Sequence, residues 1–173
     1  MDLATLPPSA ISGGRIGIVI ERIVSGGQTG ADRGGLEAAI TLGLRHGGWC
    51  PRGRRAEDGE IPARYSLVEV PSDTYDERTR LNVRDSDGTV VFTRGPLAGG
   101  SRLTAEEALR IGKPCLLLDS DRIAPGGGDA VRELLEWIDQ YRIRVLNVAG
   151  PRESQAPGIE RAVASFVASA LGG

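Results

Sequence analysis

The sequence predicts one α/β domain: a mainly parallel sheet covered by helices on both faces. Three observations carry this expectation. Short apolar runs alternate with helix-like segments along most of the chain. The runs lack polar alternation, as strands buried on both faces do. Glycine clusters directly follow several runs, where the loops of such a fold hold their ligands. The 173 residues suit a single domain.

Taken in order, residues 1–14 read as a loose tail, with Pro7, Pro8, Gly13 and Gly14 and no amphipathic period. The ligand-binding domain is expected over 15–173. The run 16–24 is apolar and stops at Gly26 and Gly27, which marks a strand. Residues 31–42 form a helix with Leu36, Ala39 and Ile40 on one face. A short strand is expected at 67–70, closed by Pro71, and a polar helix at 75–84. The β-branched run 89–92 is a buried strand. A helix over 103–111 ends at Gly112, and a strand over 115–118 begins after Pro114. Helix 130–141, strand 145–148 and helix 159–171 complete the chain.

Composition excludes several classes. A formal net charge of −2 argues against non-specific nucleic-acid binding, which needs a basic face. Cys50 and Cys115 lack zinc spacing, and the single histidine, His46, completes no metal site, so reduced thiols are expected. No secretory signal and no run long enough to span a membrane is present, which leads to the expectation of a cytoplasmic protein.

The chemistry is expected in the loops after the strands. Residues 25–35 contain Gly26, Gly27, Gln28, Thr29, Gly30, Asp32 and Arg33 at the start of a helix. Glycines let the backbone approach a ligand closely, and free amides at a helix N-terminus favour an anion. Residues 94–104 repeat that pattern after the strand 89–92 and Thr93, with Arg94, Gly95, Gly99, Gly100, Ser101 and Thr104. Ser101 is the expected N-cap. If both turns open on one crevice, they hold one small phosphate-bearing ligand. The long loop 46–59 offers His46, Trp49 for stacking on a flat ring, and Arg52 or Arg54 for bidentate pairing with phosphate. Arg78, Asn82 and Asp85 share a helix face that lines the crevice rim or a subunit contact. Asn147 ends the last strand and reaches the crevice.

These stretches resemble the molybdenum carrier (molybdenum cofactor carrier) family, related to the "lonely guy" cytokinin-activating group. The resemblance rests on IVSGGQTGADR at 23–33, HGGWCPRGRRAEDG at 46–59, ERT at 77–79 with NVRDSDGT at 82–89, TRGPL at 93–97 with GGS at 99–101, and NVAGPRES at 147–154. It implies a Rossmann-like three-layer α/β/α sandwich. It also implies binding, protection or delivery of the molybdenum cofactor, a molybdopterin-type ligand, by a non-catalytic carrier. It further implies a homo-oligomer, often a tetramer, with molybdoenzymes as recipients. The alternative is a nucleotide-binding protein or a nucleoside-monophosphate N-glycosidic hydrolase. The "lonely guy" proteins carry P-G-G-x-G-T-x-x-E; here Gly99, Gly100 and Glu106 match, while Ala98, Arg102 and Leu103 do not.

Overall fold

The computed structural model describes residues 17, 19–72, 74–125 and 127–173. The expected tail over 1–14 and the start of the expected first strand lie outside them. The strands are β1 (Arg22–Val24), β2 (Arg45–Gly47), β3 (Trp49–Cys50), β4 (Arg55–Ala56), β5 (Gly59–Glu60), β6 (Val68–Glu69), β7 (Gly88–Thr93), β8 (Cys115–Asp119) and β9 (Val145–Ala149). The helices are α1 (Ala31–Leu42), α2 (Tyr75–Arg84), α3 (Gly99–Arg110), α4 (Gly128–Tyr141) and α5 (Ile159–Gly172).

Five strands form the central sheet in the order β2-β1-β9-β7-β8, and every pair in it is parallel. A doubly wound dinucleotide-type sheet runs 3-2-1-4-5. Moving the first strand of that sheet to the end of the chain produces the order seen here. β9, the last strand in sequence, therefore occupies the central position. The crevice of such a sheet opens where successive strands diverge, which here is the seam between β9 and β7.

Helices cover both faces, giving the three-layer Rossmann-like sandwich. On one face α1, α4 and α5 close over Ile23, Val90, Phe92, Leu118, Leu146 and Val148. The rings of Phe92 and Phe166 meet edge to face, 5.9 Å apart. Two adjacent glycines let α1 sit close to its neighbours. A Cβ on Gly34 would stand 2.7 Å from Glu160 O, and one on Gly35 would stand 2.6 Å from Val148 Cβ. α2 packs against α3, and α3 lies along β7.

Two expectations need correction. The strand at 67–70 is not in the central sheet: Val68 and Glu69 are exposed and pair with Trp49 and Cys50 in a separate ribbon. The edge place beside β1 goes to Arg45–Gly47, read from sequence as part of a loop. The third helix begins at Gly99 rather than at 103. Its first intrahelical bond runs from Arg102 N to Ala98 O, 3.3 Å, so Ala98 is the N-cap and Ser101 caps nothing. Among the described residues, no helix is long and apolar enough to cross a membrane.

Because Phe92 is fully buried between β7 and α5, its truncation to alanine is expected to cost about 3–5 kcal/mol. Urea unfolding of Phe92→Ala checks this.

Candidate anion-binding cleft

The cleft encloses about 270 Å3 and lies at the carboxyl ends of β1, β9 and β7. Its wall combines Gly26, Gln28 and Asp32 after β1 with Asn147 to Gly150, Arg152 and Gln155 at and beyond the end of β9. Arg78, Thr79 and Asn82 come from α2, and Ala98 to Ser101 and Thr104 from the start of α3. Both glycine turns singled out in the sequence therefore reach one cavity. The strands that carry them are not adjacent, since β9 stands between them.

The two turns differ in what their amides do. In the first, Gly27 N donates to Ser25 Oγ at 3.2 Å, Gln28 N to Asp32 Oδ2 at 3.2 Å and Thr29 N to Gln28 Oε1 at 3.1 Å. Gly30 N donates to Glu160 Oε2 at 3.2 Å, and Ala31 N to Pro151 O at 3.1 Å. Five successive donors are thus engaged inside the protein. In the second turn, the N–H groups of Gly99, Gly100 and Ser101 have no protein acceptor among the described residues. They are the orphan donors of a helix start, at the positive end of its dipole. The start of α3 therefore offers free amides, and the start of α1 does not.

Arg78 supplies the charge. It is only 9% exposed and lies across Gly26: its Nη1 donates to Gly26 O at 2.9 Å and to Asp32 Oδ2 at 3.4 Å. A Cβ on Gly26 would stand 2.1 Å from Arg78 Nη1, so only glycine leaves room for this guanidinium. Among the described residues, Nε is buried without a partner and Nη2 makes no hydrogen bond. A buried guanidinium that uses so few of its five donors is under-satisfied. A ligand oxyanion would meet that deficit. Burial pushes the Asp32 carboxyl above its ordinary range, and Arg78, the Gln28 and Gly26 amides and Arg33 pull against it. Arg152 adds a second guanidinium at the exposed rim.

Of the residues expected at the site, Gly26, Gln28, Asp32, Asn82, Gly99, Gly100, Ser101, Thr104 and Asn147 line the cleft. The others lie outside its lining, each with a structural engagement or an open position. Gly27 packs against Leu67 and Ile61. Thr29 Oγ1 donates to Glu57, whose carboxyl is held below its ordinary value first by Ser154 and then by Thr29. Arg33 clasps Asp58 through Nη1 and Nη2 at 2.6 and 2.8 Å. His46 Nε2 accepts from Ser66 N at 3.3 Å. Trp49 Nε1 donates to Asp85 Oδ2 at 2.8 Å. Arg54 donates to the carbonyls of Ile61, Pro62, Tyr65 and Leu67, organising its own loop. Thr93 Oγ1 reaches Leu118 O at 3.5 Å, Arg94 Nε reaches Ser120 Oγ at 3.4 Å, and Gly95 is exposed.

Asn82 lines the cleft, yet its amide is committed to the backbone of Trp49: Oδ1 accepts from Trp49 N at 2.8 Å and Nδ2 donates to Trp49 O at 2.9 Å. Gln155 was not anticipated; nothing in its local sequence separates it from an ordinary loop residue. Arg78 had a signal, its spacing of four from Asn82 on one helix face. Glu106 is exposed, pairs with Arg102 Nε at 2.6 Å, and lines a separate groove with Arg80, Leu103, Glu107 and Arg110.

The architecture defines a class: an α/β domain of permuted strand order with a polar cleft at its central seam. Residues 23–171 match the circularly permutated YpsA SLOG family, cpYpsA, and the chain belongs to it. It is also similar to the crystal structure, at 1.45 Å resolution, of a "putative molybdenum carrier protein" from Syntrophus aciditrophicus SB. The two share 44% sequence identity with a TM-score of 0.83, over 88% of this chain and 95% of that one. No curated protein matches the chain.

Two glycines separate the structural turn from the open one. Gly30 has φ +84°, and a Cβ there would stand 2.3 Å from Pro151 O, whereas one on Gly100 meets nothing within 4 Å. Gly30→Ala is expected to destabilise the fold by at least about 2 kcal/mol, and Gly100→Ala by less than about 1 kcal/mol. Thermal unfolding of the two variants side by side checks the contrast.

Proposed function

We propose that this protein binds, protects or delivers the molybdenum cofactor, a molybdopterin-type ligand, and performs no chemistry on it. In this reading the cofactor is cargo. Its phosphate sits against the Gly99, Gly100 and Ser101 amides, with Arg78 beside it and Arg152 at the rim. The observation that carries the reading is the convergence of three unpaired amides and one under-satisfied buried guanidinium on a single cleft. The similar protein whose name denotes a molybdenum carrier supports the choice of cargo.

The donor set fits an oxyanion better than a bare metal ion. No cysteine or histidine lines the cleft, and no cluster of metal-ligating side chains occurs among the described residues. The metal would keep the cofactor's own sulfur ligands, while the chain holds the organic and phosphate parts. The position of Glu106 outside the cleft supports a carrier over a hydrolase that relies on that carboxylate. Assembly into a homo-oligomer and transfer to recipient molybdoenzymes belong to the same proposal.

A ligand at a hundred times its dissociation constant stabilises its host by about 2.7 kcal/mol, which for a domain of this size raises the melting midpoint by several degrees. Molybdopterin species are expected to produce that shift in the wild-type chain and in Glu106→Ala, and to lose most of it in Arg78→Ala. No shift in the wild type, or an equal shift in Arg78→Ala, would contradict the proposal. Release of free base from a nucleoside monophosphate, abolished by Glu106→Ala, would favour the hydrolase instead.

A further inference from the structure

The cleft is not a simple anion hole, because a carboxylate stands in it. Asp32 is 8% exposed and lines the same cavity as the α3 amides. Gln28 N (3.2 Å) and Arg78 Nη1 (3.4 Å) both donate to Oδ2 and the Gly26 amide also favours the carboxylate, so among the described residues Oδ1 is the less engaged oxygen. A second acceptor lies on the β9 wall. Asn147, 2% exposed, donates Nδ2 to Thr89 Oγ1 at 3.2 Å, and among the described residues its Oδ1 has no donor. For free phosphate or free molybdate these oxygens are a liability, since a carboxylate repels an anion lodged in the same small cavity. They are useful only to a ligand that brings a donor of its own.

We infer that the ligand is bifunctional: an oxyanion covalently joined to an N–H or O–H donor, with the donor read by Asp32 and Asn147. This inference rests on the reading of the cleft as an anion site and goes beyond it. Asp32 becomes the specificity residue, weakening the hold on free oxyanions and favouring phosphate esters of hydrogen-donating groups. A heterocycle edge with ring N–H and amino groups meets the requirement, and so does a sugar hydroxyl. The physical chemistry is the same for both. An acceptor with an incomplete set of donors is satisfied by the correct ligand and left unpaired by the wrong one.

Asp32→Asn is the informative variant because it is isosteric. Its amide oxygen can still accept from Gln28 N and Arg78, while its NH2 turns the cleft-facing acceptor into a donor. Isothermal titration on the intact chain would use inorganic phosphate, ribose 5-phosphate and GMP. In the wild type, GMP is expected to bind at least tenfold tighter than inorganic phosphate. In Asp32→Asn, phosphate affinity is expected to hold or rise, and GMP affinity to fall about tenfold, the scale of one hydrogen bond to a charged group. Loss shared by ribose 5-phosphate assigns the donor to a hydroxyl, and loss confined to GMP assigns it to the ring edge; both support the inference.

If both phosphate and GMP bind the wild type and Asp32→Asn weakens them alike, Asp32 merely orients Arg78 and the inference fails alone. If neither binds the wild type, the anion reading fails and takes this inference with it. Should Asp32→Asn not fold, as judged by its melting curve, the wild-type ranking decides: equal affinity for GMP and phosphate overturns the inference.

Discussion

β9 pairs with β1 on one side and β7 on the other, and the sheet exists as one layer only because it does. Without it, β2 with β1 and β7 with β8 would be two separate strand pairs. The same insertion creates the functional geometry. It brings the turn after β1 and the start of α3 to opposite sides of one seam, and it contributes Asn147 and the backbone at 148–150 to the wall. The constraint is strict, because the pairing partners lie far apart in sequence and the register is buried on both faces. The family description as circularly permutated accords with this topology.

Within that frame, one buried ion pair organises the cleft. Arg78 comes from α2 and Asp32 from α1, and they meet across Gly26. A buried pair of this kind adds little net stability. Its value lies in placement: Asp32 pins the amide of Gln28 and Nη1 of Arg78, and among the described residues Nη2 is left without an acceptor. The cleft thus presents unpaired donors at its α3 end and spare acceptor capacity at Asp32 and Asn147. Such a surface is costly unless a ligand with matching polarity completes it.

Much of the fold was legible in the sequence. α1, read from its apolar face, and α2, read as a polar helix, have the expected bounds, and β8 and β9 stand where short apolar runs placed them. The exception is instructive. Arg45–Gly47 has no apolar signature, since it is an edge strand of two basic-type residues and a glycine, so its pairing with β1 carries no local mark. The run at 67–70 looked more like a strand and serves only a surface ribbon.

The site was legible as a location more than as a mechanism. Glycine clusters pointed to the carboxyl edge of the sheet, where the cleft lies, but glycine alone does not show whether its amide is free. That depends on acceptors remote in sequence, such as Glu160 for Gly30 and Pro151 for Ala31. Arg54 and Trp49 likewise found carbonyl and carboxylate partners inside the protein, which no local pattern announces. The proposed function puts the anion on the start of α3. Amide chemical shifts of a 15N-labelled chain, followed during titration with inorganic phosphate, test it most directly. The claim requires the largest changes at Gly99, Gly100 and Ser101 with only small ones at 27–30, and the reverse pattern would contradict it.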